Sequence, residues 1–211
     1  MPMSPPQPNS LPVSSPTEVC HEFSAGERAV LLCLAHDSIL ATMQHREISL
    51  EPPSAHLAEP RGVFTSLYLR KDFRGEGQQR EVLRGCVGYV LPTCSVYRAV
   101  AETARAAAFD DNRFSPVTSE EAPHLEVELS ILSPMQPIQP EQVEIGRHGL
   151  LISWQGRRGL LLPQVAVEHD WDRATFLEQT CRKAGLPLDA WRRGATIEGF
   201  TADIFGEKNG Q

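Results

Sequence analysis

The residues best suited to chemistry lie in one short stretch, Leu83–Gly88, which reads L-R-G-C-V-G. Cys86 follows two positions after Arg84, and a guanidinium beside a cysteine favours the reactive thiolate. A glycine inside a strand often marks a bulge, or a place where a ligand or another backbone comes close. The stretch therefore predicts a functional centre in which Cys86 is a nucleophile and Arg84 activates it or binds an anion.

One interpretation of this centre is an enzyme, in which His148 acts as a base toward Cys86. Further polar side chains are available to orient the histidine or to bind substrate: Glu126, Glu128 and Gln164. No metal site is predicted, because the cysteine, the histidine and a carboxylate would have to converge from distant segments. No cofactor is implied either.

Two other interpretations use the same residues without catalysis. In a binding protein, Gly85 and Gly88 admit an unknown small-molecule or peptide ligand, and Arg84 pairs with its carboxylate or phosphate. In a purely structural site, the two glycines permit a bulge and the cysteine is buried and inert. Arg84 then forms a salt bridge with Glu126 or Glu128. The residues alone leave the three interpretations open.

Alternating apolar residues predict the strands that hold these side chains. Residues 62–70 predict a strand with both faces largely covered, and residues 82–90 predict its hairpin partner. The polar residues 71–80 between them predict a mobile hairpin tip. His124–Leu132 alternates cleanly, which predicts a half-buried strand of an antiparallel sheet with the two glutamates on its polar face.

Capping residues and helical spacing predict three helices. They begin at Ser24, Ser95 and Asp172 and end near His45, Asp110 and Gly185, respectively. Between the second and third helices, short apolar runs predict a small β-hairpin subdomain with strands at Val143–Ile145, Gly149–Trp154 and Gly159–Leu162. Residues 195–205 predict one more strand.

The net charge limits the classes of partner that the protein is expected to bind. The 211-residue chain has a net charge of -7, which argues against non-specific nucleic-acid binding but does not exclude a local basic patch. The nearest thing to such a patch is the two pairs Arg157–Arg158 and Arg192–Arg193, and pairs this short are typical of solvated turns.

The cysteines and the N-terminus predict a cytoplasmic protein. Five cysteines without a C-x-x-C pair are typical of a reducing compartment. No apolar run approaches the roughly 20 residues that span a bilayer, so no membrane association is expected. The Pro/Ser-rich first 20 residues lack the features of a signal peptide and predict a disordered tail.

From about residue 24 onward, the chain resembles the AMMECR1 family. The stretch at Leu83–Gly88 is similar to the L-R-G-C-I-G motif of that family, with Val87 in place of isoleucine. Further blocks look like family blocks in family order: Gly62–Phe64, Ala108–Pro116, Leu125–Pro134, Gly146–Leu150, Leu161–Val165 and Trp171–Pro187.

The resemblance implies an α+β architecture, with an antiparallel sheet flanked by helices in a larger part and a smaller β-rich part packed against it. We expect the domain to span residues 21–211. Its larger part would cover about 21–140 and its smaller part about 141–170, with the helix and strand of 171–205 packing back. The resemblance also implies two partners, a Memo-like protein and a radical SAM enzyme, but it brings no settled activity.

Overall fold

The structure is a computed structural model that describes residues 22–70 and 82–207, and its α+β fold confirms the predicted class. The predicted disordered tail and hairpin tip lie outside these ranges. The helices of the described residues are α1 (Ala25–Met43), α2 (Val96–Phe109), α3 (Pro163–Glu168) and α4 (Arg173–Lys183). The strands are β1 (Val63–Leu69), β2 (Val82–Tyr89), β3 (Leu125–Leu132), β4 (Gln136–Pro137), β5 (Gly149–Trp154), β6 (Arg157–Leu161), β7 (Thr196–Phe200) and β8 (Ala202–Gly206).

The larger part is an antiparallel sheet with strand order β2-β1-β3-β8, and α1 and α2 cover one of its faces. Alternation along β1 places Val63, Leu67 and Leu69 in the core beneath these helices. The intervening side chains, Phe64 and Ser66 among them, are only half buried. Both helices pack on the same side, so the two faces of this strand are covered to different degrees, fully beneath the helices and in part on the other side.

Side-chain caps fix where the helices of the larger part begin. The Ser24 hydroxyl accepts the Glu27 backbone N–H at 3.3 Å, while the Glu27 carboxylate accepts the Ser24 N–H at 3.0 Å, which is the predicted capping box. Ser95 caps α2 by accepting the N–H of Arg98 at 3.2 Å. Both predicted starts are confirmed, since each cap supplies an acceptor for an N–H group that the first helical turn leaves unpaired.

The smaller part is a second antiparallel sheet with strand order β4-β7-β5-β6. Helix α4 packs against it, begins at its predicted cap Asp172 and is followed by Gly185 at a φ of 67°. The predicted strand at Val143–Ile145 is wrong, because Val143 is a buried core residue within a run of turns. The short strand that pairs with β7 is Gln136–Pro137 instead.

The chain crosses between the two parts at two adjacent points. The predicted single strand at 195–205 breaks at Thr201, so that β7 belongs to the smaller sheet and β8 to the larger one. Ser133 and Thr201 pair where the two crossings meet: the Ser133 N–H donates to the Thr201 carbonyl at 2.9 Å, and the Ser133 hydroxyl accepts the Thr201 N–H at 3.0 Å. The second core contains α4 and touches Ile138, so the division between the cores falls near residue 134.

Within residues 22–70 and 82–207, none of the helices combines the length and the apolar character that crossing a membrane requires.

Candidate functional site

The stretch with Cys86 forms an edge strand that contains a β-bulge. Strand β2 pairs with β1 on one side only, and its register shifts so that Leu67 faces Gly85 while Tyr68 faces Leu83. Arg84 is the extra residue of this bulge. Because a bulge redirects a side chain, the Arg84 guanidinium turns into the protein, where the side chain is only 6% exposed.

Arg84 ties β2 to the loop that precedes β3. Its Nε and Nη2 atoms donate to the two carboxylate oxygens of Glu121, each at 3.0 Å. Nη1 donates to the carbonyl of Ser115 at 2.8 Å, and Nη2 also donates to the carbonyl of Pro116 at 3.1 Å. The hydrogen bonds from Arg84 hold the pKa of Glu121 below its usual value against the opposing effect of burial. This guanidinium is therefore engaged inside the protein.

The two glycines of the motif have different neighbours. A Cβ atom added at Gly85 would overlap the carbonyl oxygen of Ala107, so the glycine lets α2 pack directly against β2. A Cβ atom added at Gly88 would overlap the ring of Phe64, which lies over this position from β1. The space beside each glycine is thus filled by the protein itself rather than left for a ligand.

An aspartate and an arginine hold the outer edge of β2 at Cys86. The Cys86 N–H donates to Oδ2 of Asp111 at 2.9 Å, and the Cys86 carbonyl accepts from Nη2 of Arg113 at 3.0 Å. These backbone groups point away from β1, where a further strand would otherwise pair. The two side chains, which we call the Asp111–Arg113 clip, take the place of that strand.

The clip is a tight ion pair. Arg113 donates to Asp111 through Nε at 2.9 Å and Nη2 at 2.7 Å, which holds the pKa of the carboxyl far below its usual value. Asp111 in turn raises the pKa of Arg113, and the Cys86 side chain makes a smaller contribution in the same direction. The guanidinium next to Cys86 is therefore that of Arg113, which donates to the Cys86 carbonyl and whose side chain is 56% exposed, whereas Arg84 is engaged with Glu121.

The Cys86 side chain lies on the face of the larger sheet opposite the helices. The Ser66 hydroxyl donates to Sγ of Cys86 at 3.3 Å. Cys86, Ser66 and Glu128 are direct neighbours across β2, β1 and β3, so two strand spacings, about 10 Å, separate the backbones of the cysteine and the glutamate. We call the half-buried side chains of this surface the open face: Phe64, Ser66, Tyr68, Cys86, Glu126 and Glu128.

Neither glutamate of the open face is the partner of Arg84. The salt bridge expected with Glu126 or Glu128 in a purely structural site forms with Glu121 instead. The bulge directs the guanidinium toward the loop 115–121, away from the alternating polar side chains of β3.

The structure places the predicted base elsewhere. His148 lies in the smaller part, where Nδ1 accepts the Glu144 N–H at 3.0 Å, so the neutral ring carries its proton on Nε2. It lines a cavity of about 520 Å³ formed by residues 133–148 and 199–201, which contains no residue of β2. Gln164 lies on α3, and its Oε1 is buried without a partner in the described ranges.

The thiol has a hydroxyl and a guanidinium beside it. Across residues 22–70 and 82–207, no group of three or more His, Cys, Asp or Glu side chains is arranged to hold a metal ion. A partly buried thiol beside a hydroxyl donor and an arginine side chain that is 56% exposed can contact an anionic group.

Sequence reasoning missed four residues of this site: Ser66, Asp111, Arg113 and Glu121. A signal for Asp111 and Arg113 existed, because two acids and an arginine, D-D-N-R, directly follow the α2 pattern. Ser66 becomes predictable only with the hairpin register, and a bulge shifts that register by one residue. Nothing in the sequence distinguishes Glu121 from Glu120 beside it.

Comparisons with known proteins agree with this architecture. The family model described as AMMECR1 matches residues 32–205. Protein TK0174 of Thermococcus kodakarensis is 40% identical over 188 residues, which cover 84% of this chain and 89% of that protein. A protein of Thermofilum pendens is 38% identical over 197 residues, or 88% of this chain and 92% of that protein.

A solved structure shares the fold. The crystal structure of the uncharacterized protein PH0010 from Pyrococcus horikoshii matches with a TM-score of 0.71 and 38% identity, covering 85% of this chain and 90% of that one. The family match spans both cores and includes the bulged strand, the Asp111–Arg113 clip and the open face. The chain therefore belongs to the AMMECR1 family.

Proposed function

We propose that this chain is a binding component that recognises a small-molecule or peptide ligand on the open face, with Cys86 and Arg113 at its centre. The observation that carries the proposal is that different side chains of the site hold the strand and face the solvent. Arg84 anchors β2 from inside and Asp111 holds its outer edge, while Cys86 is only partly buried and the Arg113 side chain is 56% exposed. A guanidinium in this position suits a carboxylate or phosphate group of the ligand.

Among the residues that the structure describes, the surroundings of the thiol favour binding over a Cys–His dyad. Within the described ranges, the hydrogen-bond partner of Sγ is the Ser66 hydroxyl, and no hydrogen bond joins Cys86 to His148. A dyad needs the two side chains within hydrogen-bond reach or one water apart. The His148 imidazole instead accepts a backbone N–H in the smaller part.

We propose that the same face serves a shared complex with a Memo-like protein and a radical SAM enzyme. In such a set, a ligand presented on the open face would be passed to the partner that carries the radical chemistry. The half-buried side chains of this face support the proposal, because two aromatic rings, a thiol and two carboxylates on one sheet face are suited to contact a partner.

Co-purification of tagged chains with these two partners tests the proposal. Cys86→Ser removes the thiol and keeps the surface, so we expect it to retain both partners. Cys86→Trp fills the face and should lose them. Cys33→Trp places the same change on the exposed side of α1 and serves as the control, with thermal melting of each variant as a check on folding. Retention of both partners by Cys86→Trp would overturn the proposal.

A second candidate, a cysteine nucleophile, is favoured by the Ser66 hydroxyl that donates to Sγ and by the nearby Arg113. Alkylation by iodoacetamide tests it, since the thiolate sulfur attacks the methylene carbon and iodide leaves. The exposed Cys33 is an internal reference thiol in the same chain. A nucleophile predicts faster labelling at Cys86 than at Cys33, and slower labelling at Cys86 in Ser66→Ala. Equal rates at the two cysteines would count against it.

A further inference from the structure

The smaller sheet has two faces with different neighbours. A Cβ atom added at Gly159 would overlap Ala184, the residue that caps the C-terminus of α4, so Gly159 faces that helix. Ile152 is the cross-strand partner of Gly159 and lies in the second core on the same side. Because side chains alternate along a strand, Leu151 and Ser153 point to the opposite face of the sheet.

Cross-strand pairing places two opposite charges at the corners of this opposite face, which we call the inner face. Arg158, Ser153 and Thr196 form one row across β6, β5 and β7. In the next row, Leu151 and Glu198 are direct neighbours on β5 and β7. Two strand spacings and one two-residue step therefore separate the Cα atoms of Arg158 and Glu198, a distance of about 12 Å.

A cavity of about 700 Å³ lies between the inner face and the larger part, and Arg158 and Glu198 both line it. Two loops of the larger part form the opposite wall: Leu91–Pro92 after β2 and Pro134–Met135 after β3. Leu91 is 46% exposed, so part of this apolar wall is accessible. The cavity thus combines apolar walls with a cation at one corner of its floor and an anion at the other.

The polar groups of the cavity floor are available to a ligand. Within residues 22–70 and 82–207, neither Arg158 nor Glu198 has an oppositely charged partner within 4.0 Å. The hydroxyl groups of Ser153 and Thr196 also form no hydrogen bond with another described residue. Arg157 lines the same cavity but donates to the Gly185 carbonyl at 2.6 Å, so its guanidinium is engaged on the side of α4.

We propose that this cavity binds a short peptide with both termini free. The peptide carboxylate pairs with the Arg158 guanidinium, and the peptide ammonium group pairs with the Glu198 carboxylate. The termini of an extended tripeptide lie about 10 Å apart, which matches a Cα separation of about 12 Å once the two side chains reach inward. The two hydroxyl groups between the charges face the peptide amides, and the apolar wall contacts the peptide side chains.

Charge complementarity favours such a peptide over other small ligands. Arg158 attracts an inorganic anion such as phosphate, but Glu198 repels it, and a polyamine meets the reverse arrangement. A single amino acid carries both charges on one carbon atom, so it cannot reach both side chains at once. None of the cavity residues belongs to the open face, so the proposal is independent of the function proposed there.

Isothermal titration calorimetry of the full chain with the tripeptide alanyl-leucyl-alanine at pH 7 tests the proposal, since the amino group is then largely protonated. A ligand of this size should bind with a Kd of about 0.1–1 mM. Acetylation of the N-terminus and amidation of the C-terminus each remove one charge, so each should weaken binding about 3- to 10-fold. Free leucine should bind more weakly than the tripeptide.

Two variants assign the two ends of the peptide. Arg158→Gln should weaken binding of the free tripeptide about 3- to 10-fold, and amidation should then have no further effect because the carboxylate has lost its partner. Glu198→Gln should do the same for acetylation. Arg173→Gln and Glu168→Gln are the matched controls, because both residues are exposed and lie outside the cavity. Both controls should bind all the peptides as the unmodified chain does.

Four results would overturn the proposal. One is the absence of binding with the free tripeptide at about 10 mM, tenfold above the weakest Kd expected. Another is equal affinity for the free tripeptide and for its acetylated and amidated forms. The third is a loss of binding in the Arg158 and Glu198 variants that the two control variants share. The fourth is binding of leucine as tightly as the tripeptide, which would assign the cavity to single amino acids.

Discussion

Replacement of Arg84 by alanine should destabilise the fold, because the guanidinium acts inside the protein. The substitution removes four hydrogen bonds: two to Glu121, one to the Ser115 carbonyl and one to the Pro116 carbonyl. It leaves Glu121, whose side chain is 17% exposed, without its ionic partner. If Arg84 were instead a free ligand-binding group, its removal would scarcely change stability.

The magnitude follows from the burial of the pair. Breaking a buried ion pair by removing one partner costs about 3–5 kcal/mol, since an uncompensated charge remains. With Arg84 at 6% exposure, we expect Arg84→Ala to lower the free energy of unfolding by about 3–4 kcal/mol. Arg98 offers a matched comparison, because it pairs with Glu102 on the surface of α2 and is 55% exposed. Arg98→Ala should lower the free energy of unfolding far less than Arg84→Ala, because an exposed ion pair contributes little to stability.

Urea unfolding followed by circular dichroism measures both values, and a double-mutant cycle assigns the cause. Arg84→Ala, Glu121→Ala and the double variant should show a coupling free energy of about 1–3 kcal/mol, whereas the Arg98–Glu102 cycle should show much weaker coupling. Our reasoning is refuted if Arg84→Ala unfolds at the same urea concentration as Arg98→Ala. That result would indicate that Arg84 is available to bind a ligand.

The remaining predictions concern the packing and the ionisation of the same site. Gly85→Ala should prevent the native packing of α2 on β2, because the added methyl group overlaps the Ala107 carbonyl. Gly26→Ala on the open surface of α1 should instead stabilise the protein by about 0.5–1 kcal/mol. Soluble yield and thermal melting of the two variants measure the difference. Asp111→Asn should destabilise the protein at neutral pH and somewhat less near pH 3, where the contribution of the carboxylate has only begun to be lost. The pKa of Asp111 is lowered by Arg113 in the folded state, so its contribution is present above the unfolded value of about 3.9 and is lost as the pH falls toward the folded value. Urea midpoints at both pH values measure this, and a difference from the unmodified chain that does not change with pH would contradict it.

Local sequence signals predicted the elements of the larger part well. The capping box at Ser24 and the cap at Ser95 both lie where the helices begin, and His124–Leu132 forms the expected strand one residue shorter. These features depend on residues close to one another in sequence. The break at Thr201 was missed because it depends on which sheet each half of the segment 196–206 joins, and that is decided by distant strands.

The sequence predicted where the candidate site lies, but it did not indicate which task each of its side chains performs. Spacing places Arg84 two residues from Cys86 and so suggests that the two side chains share a face. The bulge at Arg84 breaks that alternation, so the guanidinium beside the thiol comes from Arg113 in a loop 27 residues later. A bulge depends on cross-strand pairing and on the packing of α2 against Gly85, neither of which has a local signature.

The split of the last two strands between the two sheets sets an order of events during synthesis. Strand β8 is the outer neighbour of β3 in the larger sheet, so this sheet cannot be completed until the whole of the smaller part has been synthesised. The backbone N–H of Phe23 donates to the Asp203 carboxylate at 3.0 Å. This hydrogen bond cannot form until Asp203, which is 180 residues further along the chain, has been synthesised. The part of the protein that emerges first therefore stays open until residues 202–206 arrive, and the unpaired edge of β3 is exposed to chaperones or to other nascent chains while the smaller part is made.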